Sequence, residues 1–145
     1  MNSSQLETRF RHFLLVVAAS LCVGTVLELI FSEHFESPAQ FIPFVLCGVG
    51  LLAILIALFF PRRGTIWGLR LTMLLVGLGS LFGIFEHVEH NFAFELEIRP
   101  NAVAGDVLWD ALQGANPLLA PGILGLTALL ALAATYYHPR LNGKM

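Results

Sequence analysis

Residues 41–60 read FIPFVLCGVGLLAILIALFF, an apolar run without a single charged side chain. A helix that spans a membrane needs about 20 such residues, because each adds about 1.5 Å and the hydrocarbon layer is about 30 Å thick. Pro43 lies in the first turn and Pro61 follows the last residue, which are positions where proline starts and stops a helix. The run predicts a transmembrane helix, since lipid offers no partners to open backbone groups.

Three further apolar runs share this length, at 13–31, 66–85 and 118–137. Of the 145 residues, 57% are hydrophobic and 12% are charged, and the mean hydropathy is +0.77. In a typical soluble domain roughly 45–50% of the residues are apolar and about 25% are charged. A small soluble domain could not bury as much apolar surface as this chain has. We therefore expect an all-α integral membrane four-helix bundle, a single domain over residues 1–145 with helices at about 12–32, 41–60, 66–90 and 117–137.

The positive side chains indicate an orientation, because arginine and lysine near helix ends remain on the cytoplasmic side. With four spans, all but Arg99 fall on one side of the membrane: Arg9, Arg11, Arg62, Arg63, Arg70, Arg140 and Lys144. We expect a multi-pass protein of the cell (inner) membrane with both termini in the cytoplasm. The net charge is −2 and no basic stripe is present, so a nucleic-acid partner is not expected.

Acidic side chains have the opposite distribution. All but Glu7 are predicted on or near the outer side: Glu28, Glu33, Glu36, Glu86, Glu89, Glu95, Glu97, Asp106 and Asp110. This distribution makes the outer face attractive to cations.

The predicted outer loop, residues 91–116, contains two patterns. Residues 92–99 alternate apolar and polar side chains, which is typical of a strand; we expect an extended segment there, with an extension of the third helix as the alternative. Residues 103–113 place their apolar side chains on one helical face, which predicts a short amphipathic helix at the interface with Trp109 at headgroup level. We interpret this helix as a cap over the bundle, and a docking site for a partner is the alternative.

Acidic and histidine side chains occur together near the outer ends of the first and third helices. At about 100° per residue, one face of the third helix carries Gly79, Gly83, Glu86 and His90. The two glycines form a GxxxG pair, which lets a neighbouring helix approach closely. The first helix has a small, polar face with Gly24, Thr25, Glu28 and Ser32. We expect these two faces to meet.

This packing predicts a site formed by Glu28, Glu86 and His90, with Glu89, His87 and His34 as additional members. Three explanations remain open: a divalent cation such as zinc, manganese or iron, a proton shared between the carboxylates, or a purely structural hydrogen-bonded cluster. An acid within a span is costly and more often functional, which singles out Glu28. The spacing matches no established metal or catalytic signature, since HExxH, CxxC and Walker motifs are absent from the sequence.

These features favour a non-enzymatic accessory or oligomer-forming subunit whose Glu/His cluster binds a divalent cation. A metal or proton/ion transport element and a metal-dependent membrane enzyme are the alternatives. The expected partners are the lipid bilayer and a protein partner or further copies of the chain. Cys22 and Cys47 lie in apolar runs and are interpreted as small buried side chains, with a disulfide as the alternative.

Overall fold

A computed structural model describes residues 2–141, and this part of the chain is helical with no strand. The helices are α1 (Ser3–Phe31), a short 3-10 helix (Pro38–Phe41), α2 (Ile42–Phe59), α3 (Arg63–Ile98), α4 (Ala104–Ala111) and α5 (Leu119–Ala134). The all-α prediction is confirmed for these residues. The predicted position of Lys144 lies outside them.

Three segments are long and apolar enough to cross a membrane, namely Ser3–Phe31, Pro38–Phe59 and Arg63–Ile98. Only 33%, 22% and 22% of their most apolar windows are buried inside the chain. Most of their apolar side chains therefore face outward, as they do in a membrane protein, where lipid covers them. α5 is also apolar but has 16 residues, a length of roughly 24 Å.

The four longest helices pack in a ring in the order α1, α2, α3, α5. α1 and α3 are diagonal to each other, and within residues 2–141 no pair of their Cα atoms comes within 8 Å. The expectation that the polar face of the first helix lies directly on the glycine face of the third is therefore wrong. The two glycines pack against other helices. A Cβ on Gly79 would overlap Leu46 of α2, and a Cβ on Gly83 would lie 3.0 Å from Pro121 of α5.

α3 and α5 meet along a seam of small residues. A Cβ on Gly77 would touch Ala128 at 3.8 Å, and one on Gly125 would lie 2.8 Å from Ser80 Oγ. That hydroxyl, which is buried, donates to Pro121 O at 2.7 Å. The small side chains allow the two backbones to approach closely, so this pair is held by packing and one buried hydrogen bond.

Cationic side chains cluster at one end of the ring, here called the basic end. α5 stops at Ala134, and Arg11 of α1 donates to the carbonyl oxygens of Ala134 (3.2 Å), Tyr136 (2.7 Å) and Tyr137 (3.2 Å). Arg70 of α3 donates to Thr135 O and Oγ1, each at 2.9 Å. The fourth helix is thus shorter than the predicted 117–137, because arginines bind the carbonyl groups that another helical turn would have used.

The opposite end of the ring, with Glu28, Glu33, Glu36, Glu86 and Glu89, is here called the acidic end. There α3 continues to Ile98, so the extended segment expected at residues 92–99 is wrong and the alternative, an extension of the helix, is right. Alanine, leucine and glutamate in this segment favour helix, and Arg99 pairs with Glu95 one turn earlier at 2.6 Å. Alternation alone did not outweigh these propensities.

The amphipathic helix expected within 103–113 is present as α4. Val107 and Ala111 are fully buried, whereas Trp109 is 66% exposed. α4 packs against the extension of α3, where Asn91 binds Ala111 O through Nδ2 at 2.9 Å and Arg99 pairs with Asp110. Asn91 is itself 2% exposed, so the last third of α3 and α4 form one connected unit.

Candidate functional site

A cavity of about 390 Å³ lies at the acidic end, inside the ring of helices. All four long helices contribute to its wall, together with the loop and 3-10 helix that join α1 to α2. Small-molecule sites in proteins have volumes of roughly 300–1,000 Å³ and mostly apolar walls. The wall of this cavity is largely apolar, with Leu29, Ala39, Ile42, Pro43, Leu46, Phe82, Pro117, Ala120, Pro121 and Leu124. We call it the acidic-end cavity.

The helix directions define a floor and a rim. α1 and α3 run toward the acidic end, while α2 and α5 run away from it. Thr25, Leu46, Gly79 and Leu124 therefore form the floor, and the rim lies near Ser32. Ser32 follows Thr25 by seven positions, which at the helical rise corresponds to a depth of roughly 10 Å.

One floor residue, Thr25, has an unsatisfied hydroxyl that is shielded from the cavity. Thr25 is 5% exposed, and its Oγ1 has no hydrogen-bond partner among the described residues. A buried hydroxyl without a partner carries a desolvation cost, so such groups are uncommon and each calls for an explanation. The other buried hydroxyls of the ring are bonded: Ser80 to Pro121 O and Thr127 to Ile123 O. Thr25 alone lacks a partner among these three.

Two carboxylates from diagonal helices line the acidic-end cavity above this floor. Glu28 of α1 is exposed, and Glu86 of α3 is half-buried. No lysine or arginine is among the described residues of the wall. The cavity therefore has an excess of acid over fixed positive charge, within walls of low polarity that reduce screening.

Three histidines occupy the upper wall. His87 Nδ1 lies 2.9 Å from Pro117 O, and His90 Nδ1 lies 2.7 Å from Glu86 O. A carbonyl oxygen can only accept, so each Nδ1 carries the hydrogen, and in the neutral ring Nε2 is then an acceptor. Burial lowers the pKa of His34, the nearby His87 lowers it further, and Glu36 acts in the opposite direction. The rim therefore favours neutral imidazole at His34.

The structure brings together five of the six residues predicted from the sequence. Glu28, Glu86, His90, His87 and His34 all line the acidic-end cavity, whereas Glu89 is exposed and does not. Within residues 2–141, no group of three or more histidine, cysteine, aspartate or glutamate side chains is placed to hold a metal ion. The residues share a cavity without forming a preassembled coordination site, and the metal site remains a prediction.

Other residues of the cavity wall were not predicted from the sequence to belong to a functional site. Thr25 has the same residue type as helix-packing threonines, and only its missing hydrogen bond separates it from them. Asn116 lies in the loop before α5; its backbone N and Nδ2 both donate to Asn91 Oδ1, at 2.9 and 3.1 Å. That contact joins residues distant in sequence, and no local pattern signals it.

Comparison with known proteins assigns no function to the chain, so a functional assignment depends on the geometry of the cavity. No family model, no curated protein and no solved structure matches this chain.

Proposed function

We propose that the chain is a four-span integral membrane protein whose acidic-end cavity faces the outside and binds a small cation. In this proposal the protein is a binding subunit rather than an enzyme, located in the inner membrane with both termini in the cytoplasm. The observation that carries it is the acidic-end cavity itself, where Glu28 and Glu86 share walls that contain no lysine or arginine in the described part of the chain.

The packing of α5 supports a fourth span. This helix contacts both α1 and α3 along the ring, so it lies at the same depth as two helices that are long enough to cross. Its basic end is anchored by Arg11 and Arg70, whose long side chains reach the last carbonyl groups. Arginines near helix ends favour the cytoplasmic side, which supports placing the acidic-end cavity outside.

Electrostatics supports a cation as the occupant. Carboxylates in a cleft with low-polarity walls concentrate counter-ions from solution. His87 and His90 contact carbonyl oxygens through Nδ1, and in an uncharged ring bonded in this way Nε2 is an acceptor. A positively charged ligand would thus meet carboxylates and acceptors, whereas an anion would meet repulsion.

Calorimetric titration of the purified protein in phosphatidylcholine nanodiscs tests binding, with empty nanodiscs as the blank. The probes are Zn²⁺, Mn²⁺ and 2-phenylethylammonium. We expect at least one to bind, and Glu28→Gln/Glu86→Gln to weaken it about tenfold or more, because hydrogen bonds to a charged group contribute about 1.5–3 kcal/mol. Glu97→Gln, an exposed acid outside the cavity, is the matched control. No binding above the blank by any probe would overturn the proposal.

Topology is tested by cysteine labelling in intact cells. The native Cys22 and Cys47 are free and buried, so an introduced cysteine dominates reaction with a membrane-impermeant maleimide. We expect Asn101→Cys to react in intact cells and Ser4→Cys only after lysis. The reverse pattern would refute the orientation.

Assembly with a protein partner or with further copies of the chain is part of the same proposal. Exposed apolar side chains such as Leu75, Leu78 and Leu129 provide surface for helix contacts as well as for lipid. Native mass spectrometry from membranes should show a complex, and a strictly solitary chain would contradict this part.

A further inference from the structure

We infer that the basic end binds an anionic phospholipid, with the lipid phosphate between Arg63 and Arg70 of α3. An acyl chain of this lipid extends along Leu74 and Leu78 of the same helix. The site lies at the opposite end of the ring from the acidic-end cavity, and it shares only the membrane placement with the proposed function. It depends on where the cations converge, on the donors they leave open and on the apolar side chains that continue the same helix face.

Three arginines from different segments surround the end of α5. Arg11 of α1 and Arg70 of α3 bind the carbonyl groups that follow this helix. Burial lowers the pKa of His138, which lies in the segment after α5. The charges of Arg11, Arg140 and Arg70 lower this pKa further. Their positive charges therefore act together at one place, although they come from three parts of the chain.

The basic end has a surplus of positive charge. Among the described residues it contains one acid, Glu7, which lies 3.9 Å from Arg11. Its described arginines are Arg9, Arg11, Arg62, Arg63, Arg70 and Arg140. Arginines near a membrane surface attract anionic lipids by about fivefold each, whereas a zwitterionic headgroup has no net charge to be attracted. The charge balance therefore favours an anionic headgroup.

Arg70 has donors that the protein leaves open. A guanidinium has five N–H donors, and two of them bind Thr135, through Nε and Nη2 at 2.9 Å each. The other donors have no acceptor within residues 2–141. The ring of Trp67 packs against this guanidinium, with 5.3 Å between Arg70 Cζ and the ring centroid. A phosphate can accept two donors of one guanidinium side by side, which makes it a fitting partner.

One face of α3 has the polarity of a phospholipid. At about 100° per residue, this face carries Arg63, Trp67, Arg70, Leu74 and Leu78. Leu74 is 54% exposed and Leu78 is 63% exposed. The face is therefore cationic at the basic end and apolar beyond Arg70, toward the membrane interior. A headgroup followed by an acyl chain matches this order, whereas a free phosphate matches only its first part.

Native mass spectrometry of the detergent-purified full chain measures this binding. The probes are phosphatidylglycerol and phosphatidylcholine with identical acyl chains, and glycerol 3-phosphate, which presents an anionic phosphate without chains. We expect phosphatidylglycerol to bind at least about fivefold more tightly than phosphatidylcholine, because only its headgroup has a net negative charge. Glycerol 3-phosphate should bind at least about tenfold more weakly than phosphatidylglycerol, because it leaves Leu74 and Leu78 uncovered.

Arg63→Gln is the variant that decides, because Arg63 is exposed and its loss leaves the packing of the ring intact. It should weaken phosphatidylglycerol about fivefold and leave phosphatidylcholine nearly unchanged. Arg70→Gln should have the same effect, but it also removes the bonds to Thr135. Arg9→Gln is the matched control. It removes the same charge from the same end of the ring, on α1 and about 200° around that helix from Arg11.

Three results would overturn the inference. Equal binding of phosphatidylglycerol and phosphatidylcholine would show that the basic end does not select a charged headgroup. An equal loss in Arg9→Gln and Arg63→Gln would indicate a diffuse attraction in place of a site on α3. Binding of glycerol 3-phosphate as tight as that of phosphatidylglycerol would assign the site to a soluble phosphate. The cation binding proposed for the acidic-end cavity is unaffected by all three, because its residues lie at the other end of the ring.

Discussion

Replacement of Asn91 by alanine removes the side chain that joins α3, α4 and the loop before α5. Its Nδ2 donates to Ala111 O and to Asn116 O, both at 2.9 Å. Its Oδ1 accepts from the backbone N and from Nδ2 of Asn116. Gly114 packs directly on the amide, since a Cβ there would lie 2.5 Å from Asn91 Cγ. No other described side chain connects these three segments through so many hydrogen bonds.

The cost follows from which partners remain buried. The carbonyl oxygen of Ala111, a fully buried residue, keeps its bond from Gly114 N at 3.3 Å and loses only the bond from Asn91, at about 0.5–1.5 kcal/mol. Asn116 is exposed, so water replaces much of its bonding and each bond there contributes about 0.5–1 kcal/mol. The sum is a loss of roughly 2–4 kcal/mol, concentrated in the unit formed by α4 and the last third of α3.

Hydrogen exchange monitored by mass spectrometry measures this effect locally. In Asn91→Ala, amides of residues 104–116 should exchange faster by about 30-fold or more, because each 1.4 kcal/mol corresponds to a factor of ten. Amides of α1 and α2 should change little, since neither contacts α4 in the described residues. Asn101→Ala, at an exposed turn position, is the control. Equal exchange in the two variants would refute the role assigned to Asn91.

Two further changes test the seam and the rim. Gly125→Ala should lower the free energy of unfolding by about 1–3 kcal/mol, because the new methyl group overlaps Ser80 Oγ. Gly122→Ala meets open space and should be neutral or stabilising by up to about 1 kcal/mol. Burial and His87 lower the pKa of His34 in the folded chain, so the unfolded chain protonates this ring at a higher pH than the folded chain does. The free energy of unfolding should therefore fall as the pH drops below about 6.5. His34→Gln should flatten that decrease in thermal unfolding curves.

The histidine comparison has its own control. Other groups also titrate in acid, so the informative quantity is the difference between native protein and His34→Gln at each pH. His12→Gln removes an exposed histidine and should reproduce the native pH dependence. A native-like curve for His34→Gln, or an equal loss of stability in Gly125→Ala and Gly122→Ala, would contradict the packing described here.

Much of the fold could be predicted from the lengths of the apolar runs in the sequence. The uncharged run at 41–60 appears as α2, Ile42–Phe59, because proline limits both of its ends and no polar residue interrupts it. Ends without such limits were less predictable: α1 begins at Ser3, since its polar first turns continue the same helix. At the other extreme, residues 92–99 have a strand-like alternation that local propensity and contact with α4 override.

The candidate site was predictable in its residues and not in its geometry. Helical phase grouped Glu86 with His90 on α3 and Glu28 with Thr25 on α1, and all four line one cavity, because phase is a property of one helix. Which helices are neighbours depends on packing across the whole ring. The glycine pair was expected to receive α1, but Gly79 receives Leu46 and Gly83 receives Pro121.

The diagonal arrangement explains why a cavity exists at one end only. Toward the basic end the centre of the ring is filled by side chains such as Ile54, Met73, Ala128 and Ala131, all buried in one core cluster. Toward the acidic end the same central space is faced by Thr25 and Ala120, whose side chains are too small to fill it. Space between diagonal helices stays open where their facing residues are small, and the carboxylates stand directly above it. Thr25, Glu28 and Ser32, from the small polar face that was expected to contact the third helix, therefore border this open space instead.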